Sequence, residues 1–145
     1  MNKYAKDPQE LRRICANLTF AKQLGLIDDD SLAAAEERCR LENARRGEKL
    51  AAGKVVYGLT AYPLPAYLQY ECTRFRLAFA GERKQVQYDY APITAREEKA
   101  YYKANKDLFT RYMGDKFRFR EVKQVVRKKM REEEYDRCLL YTSDA

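Results

Sequence analysis

Apolar residues recur every three or four positions along most of the chain, which is the spacing that places side chains on one face of an α-helix. Five segments follow this pattern, and they begin near Asp7, Ser31, Pro65, Thr94 and Phe119. Residues typical of turns separate each segment from the next. The sequence therefore predicts a mainly α fold, a single helical domain of about five helices.

Helix caps support these boundaries. Asp7 can accept hydrogen bonds from the free amides of the first helix, and Glu10 completes a capping box three residues later. Thr94 and Glu97 form a second such box. Gly25 follows the first helix, where glycine supplies the left-handed backbone that ends many helices. Capping chemistry and apolar spacing thus agree on where these helices lie.

Two segments depart from the helical spacing. Residues 55–59 read Val-Val-Tyr-Gly-Leu, and Val86, Tyr88 and Tyr90 alternate with polar residues. Because β-branched and aromatic residues in such patterns favour extended structure, both segments are candidate strands. At most one short two-stranded pairing, between these segments, is expected.

The second predicted helix changes character along its length. Leu32, Ala35 and Cys39 form a narrow apolar seam, whereas the stretch from Glu42 to Arg46 is mostly charged. Such a charged stretch is typical of a solvent-facing helix surface, and Glu42 and Arg46 are spaced for an ion pair across one turn. We expect this half of the helix to lie on the protein surface.

Composition limits the class of protein. Of the 145 residues, 46% are hydrophobic and 35% are charged, as in globular domains. No apolar run is long enough to span a bilayer, and the charged N-terminal residues are unlike a signal peptide. The sequence therefore predicts a cytoplasmic protein without a transmembrane segment.

Candidate chemistry is sparse. Histidine is absent, so the commonest general base and metal ligand is missing. The cysteines at positions 15, 39, 72 and 138 form no CxxC pair, which favours free thiols over a zinc or redox site. The three aspartates at 28–30 precede a helix, where carboxylates usually act as caps. With no phosphate loop or hydrolase motif, the sequence predicts no catalytic, cofactor or metal site.

The C-terminal residues differ from the rest of the chain. The last eight, CLLYTSDA at 138–145, lack the charge density of the preceding helix. They match in full one reading frame of the transposon end and adaptor used in tagmentation sequencing libraries. Residues 1–137 are therefore expected to be the natural helical domain, and 138–145 to be adaptor read-through from a metagenomic assembly that leaves the gene truncated.

Two phrases carry a resemblance to a known family. ITAREEKAYYKANKDLF, at 93–109, resembles the helix before the isomerase domain of parvulin-type foldases and SurA-like chaperones. FRFREVKQVVRKKMREEEYD, at 117–136, resembles the helix after that domain. Only residues 110–116 connect them, and the histidines of the family's isomerase pocket are absent. The resemblance implies a SurA-like helical module over 1–137 that lacks the peptidylprolyl isomerase domain.

The tyrosines suggest a binding function. Tyrosine supplies a large amphipathic contact area at low entropic cost. Seven rings are candidates for a groove that holds an extended or unfolded polypeptide, or a protein partner: Tyr57, Tyr62, Tyr67, Tyr70, Tyr101, Tyr102 and Tyr112. Alternatively, the rings complete the helical core and keep their hydroxyls at the surface. The preferred hypothesis is a non-catalytic, chaperone-like protein that binds a polypeptide or partner.

Net charge supports a second hypothesis. The chain carries a formal charge of +7, and a basic stripe recurs at helical spacing, formed by Lys116, Arg120, Lys123, Arg127 and Arg131. Such a stripe can follow the phosphates of a nucleic acid. A solvated helix face has the same composition, and no nucleic-acid-binding motif accompanies the stripe. Nucleic-acid binding is therefore the alternative function.

Overall fold

The structure is a computed structural model that describes residues 3–81, 84–110 and 117–143. Over these residues the chain forms five α-helices and one short 3-10 helix. The α-helices are α1 (Pro8–Gln23), α2 (Leu32–Ala51), α3 (Leu64–Ala80), α4 (Ala95–Ala104) and α5 (Phe119–Ser143). The 3-10 helix, Lys106–Phe109, follows α4. The predicted mainly α fold with about five helices is confirmed.

The chain divides into two compact units. Unit 1 comprises Met1–Phe75 and Cys138–Ala145, and unit 2 comprises Arg76–Arg137. Unit 1 contains α1, α2 and most of α3, whereas unit 2 contains the end of α3, α4 and most of α5. The domain limits 1–137 and 138–145 stay predictions. Residues 138–143 continue α5, which does not bear on the proposed adaptor origin of the tail.

Unit 1 has a core built from the apolar faces of its helices. Leu68 and Ile14 are almost fully buried, and each contributes about 1.5–3 kcal/mol relative to an exposed side chain. In α3 the apolar residues recur at three- and four-residue spacing, and Cys72 and Phe75 on this face are buried. Asn17 is also buried, and its side-chain amide donates to the Arg13 carbonyl at 2.9 Å. Apolar spacing therefore identified the packing faces of this unit correctly.

Unit 2 has two aromatic clusters. In one, the buried residues Phe109, Val122 and Val126 contact partly buried neighbours that include Tyr101 and Tyr102. In the other, the Phe79 ring packs against three tyrosine rings, Tyr88, Tyr90 and Tyr135, with centroids 4.8, 5.0 and 5.6 Å away. Edge and tilted ring pairs of this kind add to the stabilisation from burial alone.

The strand pairing that the sequence allowed is not formed, because neither segment adopts strand structure. In residues 55–59, Gly58 has a positive φ of 80°, which interrupts an extended run. In the other segment, the Tyr90 hydroxyl donates to the Phe79 carbonyl at 2.7 Å and the Tyr88 hydroxyl to Glu134 at 3.1 Å. The alternating tyrosines therefore reflect ring packing and hydroxyl bonding within unit 2.

The predicted helix caps are largely confirmed. The Asp7 carboxylate accepts from the Glu10 amide at 2.7 Å, and α1 ends shortly before Gly25, whose φ is 80°. At α4, Thr94 and Glu97 form the full capping box, in which Thr94 Oγ1 accepts from the Glu97 amide at 3.1 Å. One detail differs at α1, since the Glu10 carboxylate accepts from the Lys6 amide.

Two general properties follow from the described residues. No helix in the ranges 3–81, 84–110 and 117–143 combines the length and apolar character needed to cross a membrane. The cysteines at 15, 39, 72 and 138 are free thiols. Burial raises the pKa of the Cys72 thiol to about 12, so this sulfur stays protonated and unreactive at neutral pH.

We expect Thr94→Ala to destabilise α4 by about 1 kcal/mol, because the Glu97 amide loses its cap. Hydrogen exchange of the α4 amides, together with urea unfolding, measures the effect. Thr73→Ala is the control, since the exposed Thr73 hydroxyl bonds only the Gln69 carbonyl one turn back. Equal exchange at the Glu97 amide in T94A and wild type would contradict the assigned cap.

Candidate protein-binding surface

Residues 55–59 of unit 1 expose an unusual amount of apolar surface. Val55 is 72% exposed, Tyr57 84% and Leu59 49%. Scattered apolar side chains on a surface are ordinary, but three large ones within five residues make this segment a candidate binding surface. We call residues 55–59 the exposed segment.

Arg46 of α2 fixes the backbone of the exposed segment. Its Nη1 donates to the carbonyls of Tyr57 and Leu59, both at 2.7 Å. Its Nε donates to Glu42 Oε1 at 3.0 Å, and its Nη2 donates to the Tyr62 hydroxyl at 3.2 Å. One guanidinium therefore connects a helix, a loop backbone and an aromatic ring, and it uses the fork of donors that lysine lacks.

Asn43, one turn before Arg46, holds the end of the same loop. Its Nδ2 donates to the Tyr62 carbonyl at 3.0 Å, and its Oδ1 accepts from the Tyr62 amide at 2.6 Å. This pair of bonds replaces the backbone partner that Tyr62 would have in a helix or sheet. The loop before α3 is thus ordered by two polar side chains of α2, although it has no regular secondary structure.

The burial of Arg46 corrects the expectation that the charged half of α2 lies entirely on the surface. Arg46 is only 8% exposed, whereas its ion pair with Glu42, predicted from spacing, is present. Cys39, Asn43 and Arg46 continue the apolar seam of α2 at intervals of four and three residues. This continuation of helical spacing through polar residues was the available sequence signal, and the surrounding charges obscured it.

A tyrosine cluster lies behind the loop. The Tyr62 and Tyr70 rings stack with centroids 5.2 Å apart, and the Tyr62 and Tyr67 rings meet edge to face at 5.7 Å. The Tyr67 hydroxyl donates to the buried Glu71 carboxylate at 3.2 Å, and Arg38 donates to that carboxylate at 2.8 and 3.0 Å. Aromatic packing and a bidentate ion pair together make a rigid base for the loop.

Burial, followed by the nearby Glu71 charge and hydrogen bond, raises the pKa of the Tyr67 hydroxyl well above its ordinary value of 10.0. The folded protein therefore favours the neutral phenol. Glu71 was not singled out from the sequence, although it lies on the otherwise apolar face of α3 between Leu68 and Phe75. A charged residue on such a face indicates a buried partner.

The tyrosines predicted to line a groove lie in different surroundings, and the groove itself stays a prediction. In unit 1, Tyr67 is buried and Tyr62 and Tyr70 are half-buried, and the three rings pack together while the Tyr67 hydroxyl donates to the buried Glu71. Tyr57 remains exposed. In unit 2, the half-buried rings of residues 101 and 102 pack on Phe109. Tyr112 lies outside the described residues. Tyr57 is therefore the predicted residue that is most available to a partner.

The basic stripe loses its last member. Arg120, Lys123 and Arg127 are exposed on α5, but Arg131 is only 7% exposed. The Arg131 guanidinium donates to the Ala91 carbonyl at 2.8 Å and to Glu134 at 2.5 Å. It also lies 4.6 Å from the centre of the Tyr90 ring. These contacts make Arg131 a structural residue, so the exposed stripe is shorter than predicted. Lys116 is outside the described residues.

The sequence of this chain is similar to that of a protein named as a chaperone. No protein-family model matches this chain. The chain is 29% identical over 136 residues to a protein of Bifidobacterium longum subsp. longum named "Chaperone for lacto-N-biosidase". The match covers 94% of this chain and 47% of that relative.

Solved structures show a similar fold. The chain superposes on a crystal structure of GH136 lacto-N-biosidase from Eubacterium ramulus with a TM-score of 0.76 and 25% identity. The match covers 92% of this chain and 27% of that one. The selenomethionine derivative gives the same TM-score. The fold of this chain thus recurs within part of a longer chain, that of a lacto-N-biosidase.

The resemblance to parvulin-type foldases and SurA-like chaperones is wrong. The matches are to a chaperone for lacto-N-biosidase and to a lacto-N-biosidase chain. The two phrases behind the resemblance fall mainly on α4 and α5, where capping boxes and amphipathic spacing rich in Glu, Lys and Tyr occur in many unrelated helices. Short helical patterns of this kind specify a helix and its buried face, and they do not specify a family.

We expect Arg46→Ala to destabilise unit 1 by about 2–3 kcal/mol, because it removes the charged hydrogen bonds that the buried guanidinium donates to the Tyr57 and Leu59 carbonyls. Urea unfolding measures the change, and faster hydrogen exchange at residues 55–62 locates it. Arg45→Ala is the matched control, since the neighbouring Arg45 pairs only with Glu42 and is exposed. Similar exchange profiles in both variants would contradict the role of Arg46.

We expect stability to fall as the pH rises above about 10, partly because of Tyr67. The unfolded tyrosine loses its proton at the ordinary pKa of 10.0 while the folded one keeps it, so the stabilisation is complete below that pH and is lost above it. Thermal unfolding at pH 8 to 11 should show a smaller alkaline loss in Y67F than in wild type. Y57F, which alters an exposed ring, is the control and should follow wild type.

Proposed function

We propose that this chain is a non-catalytic, chaperone-like protein that binds an enzyme of the GH136 lacto-N-biosidase class and assists its folding. The observation that supports this proposal is that the chain is similar to two kinds of protein, a double similarity. Nearly the whole chain matches a chaperone for lacto-N-biosidase in sequence, and nearly the whole chain matches a segment of a lacto-N-biosidase in fold. In this proposal the catalytic residues belong to the partner.

The double similarity has a physical interpretation. A helical module that is part of an enzyme chain is held near the rest of that chain at a high effective concentration. A module on a separate chain has no such tether, so it needs a surface that binds the enzyme without covalent help. The similarity to both kinds of protein supports a shared, non-covalent contact between the helical module and the remainder of the enzyme.

The exposed segment is the best candidate for that contact. Val55, Tyr57 and Leu59 offer apolar and aromatic surface of the kind that dominates binding energy at interfaces. Arg46 already fixes the carbonyls on either side of Gly58, so binding does not have to order the loop. Preorganisation of this kind lowers the entropic cost of association.

A refolding assay tests the proposed function. The lacto-N-biosidase of Eubacterium ramulus, without the segment that resembles this chain, is denatured and diluted with or without the full-length chain. We expect the chain to increase the recovered lacto-N-biosidase activity. An unrelated denatured enzyme serves as the control for non-specific prevention of aggregation. Equal recovery with and without the chain would overturn the proposal.

Variants test the exposed segment. We expect the triple variant V55S/Y57S/L59S to reduce enzyme binding by at least about tenfold, since a few aromatic and apolar residues usually carry most of the binding energy. The control is L77S/L108S, because Leu77 and Leu108 are large apolar residues that are exposed elsewhere on the chain, at 44% and 53%. Surface plasmon resonance with the same enzyme measures binding. An equal loss of enzyme binding in both variants would show that the exposed segment is not part of the interface.

A further inference from the structure

Unit 2 contains a cavity of 560 Å³ that is lined by both apolar and basic side chains. The apolar lining includes Phe79, Tyr90 and Val125, which we call its floor, and Lys84, Arg127 and Lys128 contribute positive charge. The volume is within the usual range for sites that accept a small molecule or a few side chains. We call this site the basic pocket.

The floor of the basic pocket is rigid. The Phe79 and Tyr90 ring centroids are 5.0 Å apart, and the Tyr90 hydroxyl donates to the Phe79 carbonyl at 2.7 Å. Arg131 lies over the Tyr90 ring and is tied to the Ala91 carbonyl and Glu134. The pocket therefore exists before any ligand binds, which favours binding because little ordering is needed.

The charges of the pocket are unbalanced. Among the residues that the structure describes, no acidic side chain lines the pocket, and Glu134 neutralises the Arg131 guanidinium. Within the described part of the chain, Lys84, Arg127 and Lys128 have no carboxylate partner, whereas Arg76 of the same unit pairs with Glu132 and Asp136. Clustered cations beside low-dielectric walls attract anionic groups.

We propose that the basic pocket binds an acidic segment of the protein partner, with an apolar or aromatic side chain of that segment on the floor and its carboxylates on Lys84, Arg127 and Lys128. The inference rests on the proposed function, because the segment is assigned to the same enzyme partner. Arg127 can bind a carboxylate through two parallel hydrogen bonds. Because the floor is apolar, the bound segment also needs an apolar or aromatic side chain to contact it.

A peptide fits these observations better than a nucleic acid does. Phosphate tracking needs a row of accessible cations along a groove. Here the row on α5 is short, since Arg131 at its end is buried, and the remaining cations of the pocket lie beside apolar side chains. Side chains of mixed acidic and apolar character match that arrangement directly.

Fluorescence anisotropy at low ionic strength tests the pocket with the full-length chain. The probe is a fluorescein-labelled peptide in which glutamates flank a central phenylalanine, and its glutamine analogue controls for charge. We expect wild type to bind the glutamate peptide, and R127E/K128E to bind it at least about tenfold more weakly, since reversing close charge partners weakens complexes strongly. K123E is the matched control, because Lys123 is exposed on the same helix and does not line the pocket.

The other outcomes overturn the inference. If wild type does not bind the peptide, the basic pocket is not a binding site for an acidic segment. An equal loss in K123E indicates diffuse attraction to α5, and tighter binding of a single-stranded oligonucleotide of equal charge assigns the surface to nucleic acid. Circular dichroism verifies that the variants remain folded.

The two proposals also fail separately. If wild type binds the peptide but does not assist enzyme refolding, only the proposed function is contradicted. If R127E/K128E assists refolding as well as wild type, the pocket has no role in partner binding. The proposed function then stands.

Discussion

The buried guanidinium of Arg46 is the interaction on which the exposed segment depends. The carbonyls of Tyr57 and Leu59 belong to a loop that has no helix or sheet to satisfy them, and Arg46 supplies both hydrogen bonds. Glu42 balances the charge, and the Tyr62 ring lies 4.8 Å from the guanidinium carbon. Without this arrangement the loop would keep its apolar side chains but would lose a defined shape.

Unit 2 uses the same device. Arg131 is also buried, donates to a loop carbonyl, pairs with a glutamate on its own helix and covers a tyrosine ring. In each unit, one arginine thus connects an α-helix to a segment without regular structure. A mainly α chain with long connections needs such connectors, because its loops cannot use sheet hydrogen bonds. The two arginines also define the candidate sites, one beside the exposed segment and the other beneath the basic pocket.

The fold was more predictable from the sequence than the candidate sites were. The starts of α1 and α4 followed from Asp7 and Thr94, and the buried face of α3 followed from its apolar spacing. The tyrosine prediction was less specific, because a tyrosine suits both a core and an interface: Tyr67 is buried and Tyr57 is exposed, although both belong to unit 1. The parvulin resemblance was wrong because it relied on helical patterns that report local structure, and comparison over nearly the whole chain replaced it.

The sequence by itself determined where the helices begin and which of their faces are apolar, because caps and helical spacing act between residues three or four positions apart. Only the tertiary structure decided the roles of the charged residues. Arg46 bonds carbonyls 11 and 13 residues away, and Arg131 bonds one 40 residues away. An arginine on a charged helix has the same local pattern whether it faces solvent or a loop backbone. Its burial depends on which distant carbonyls lack a partner, and that is settled only when the chain has folded.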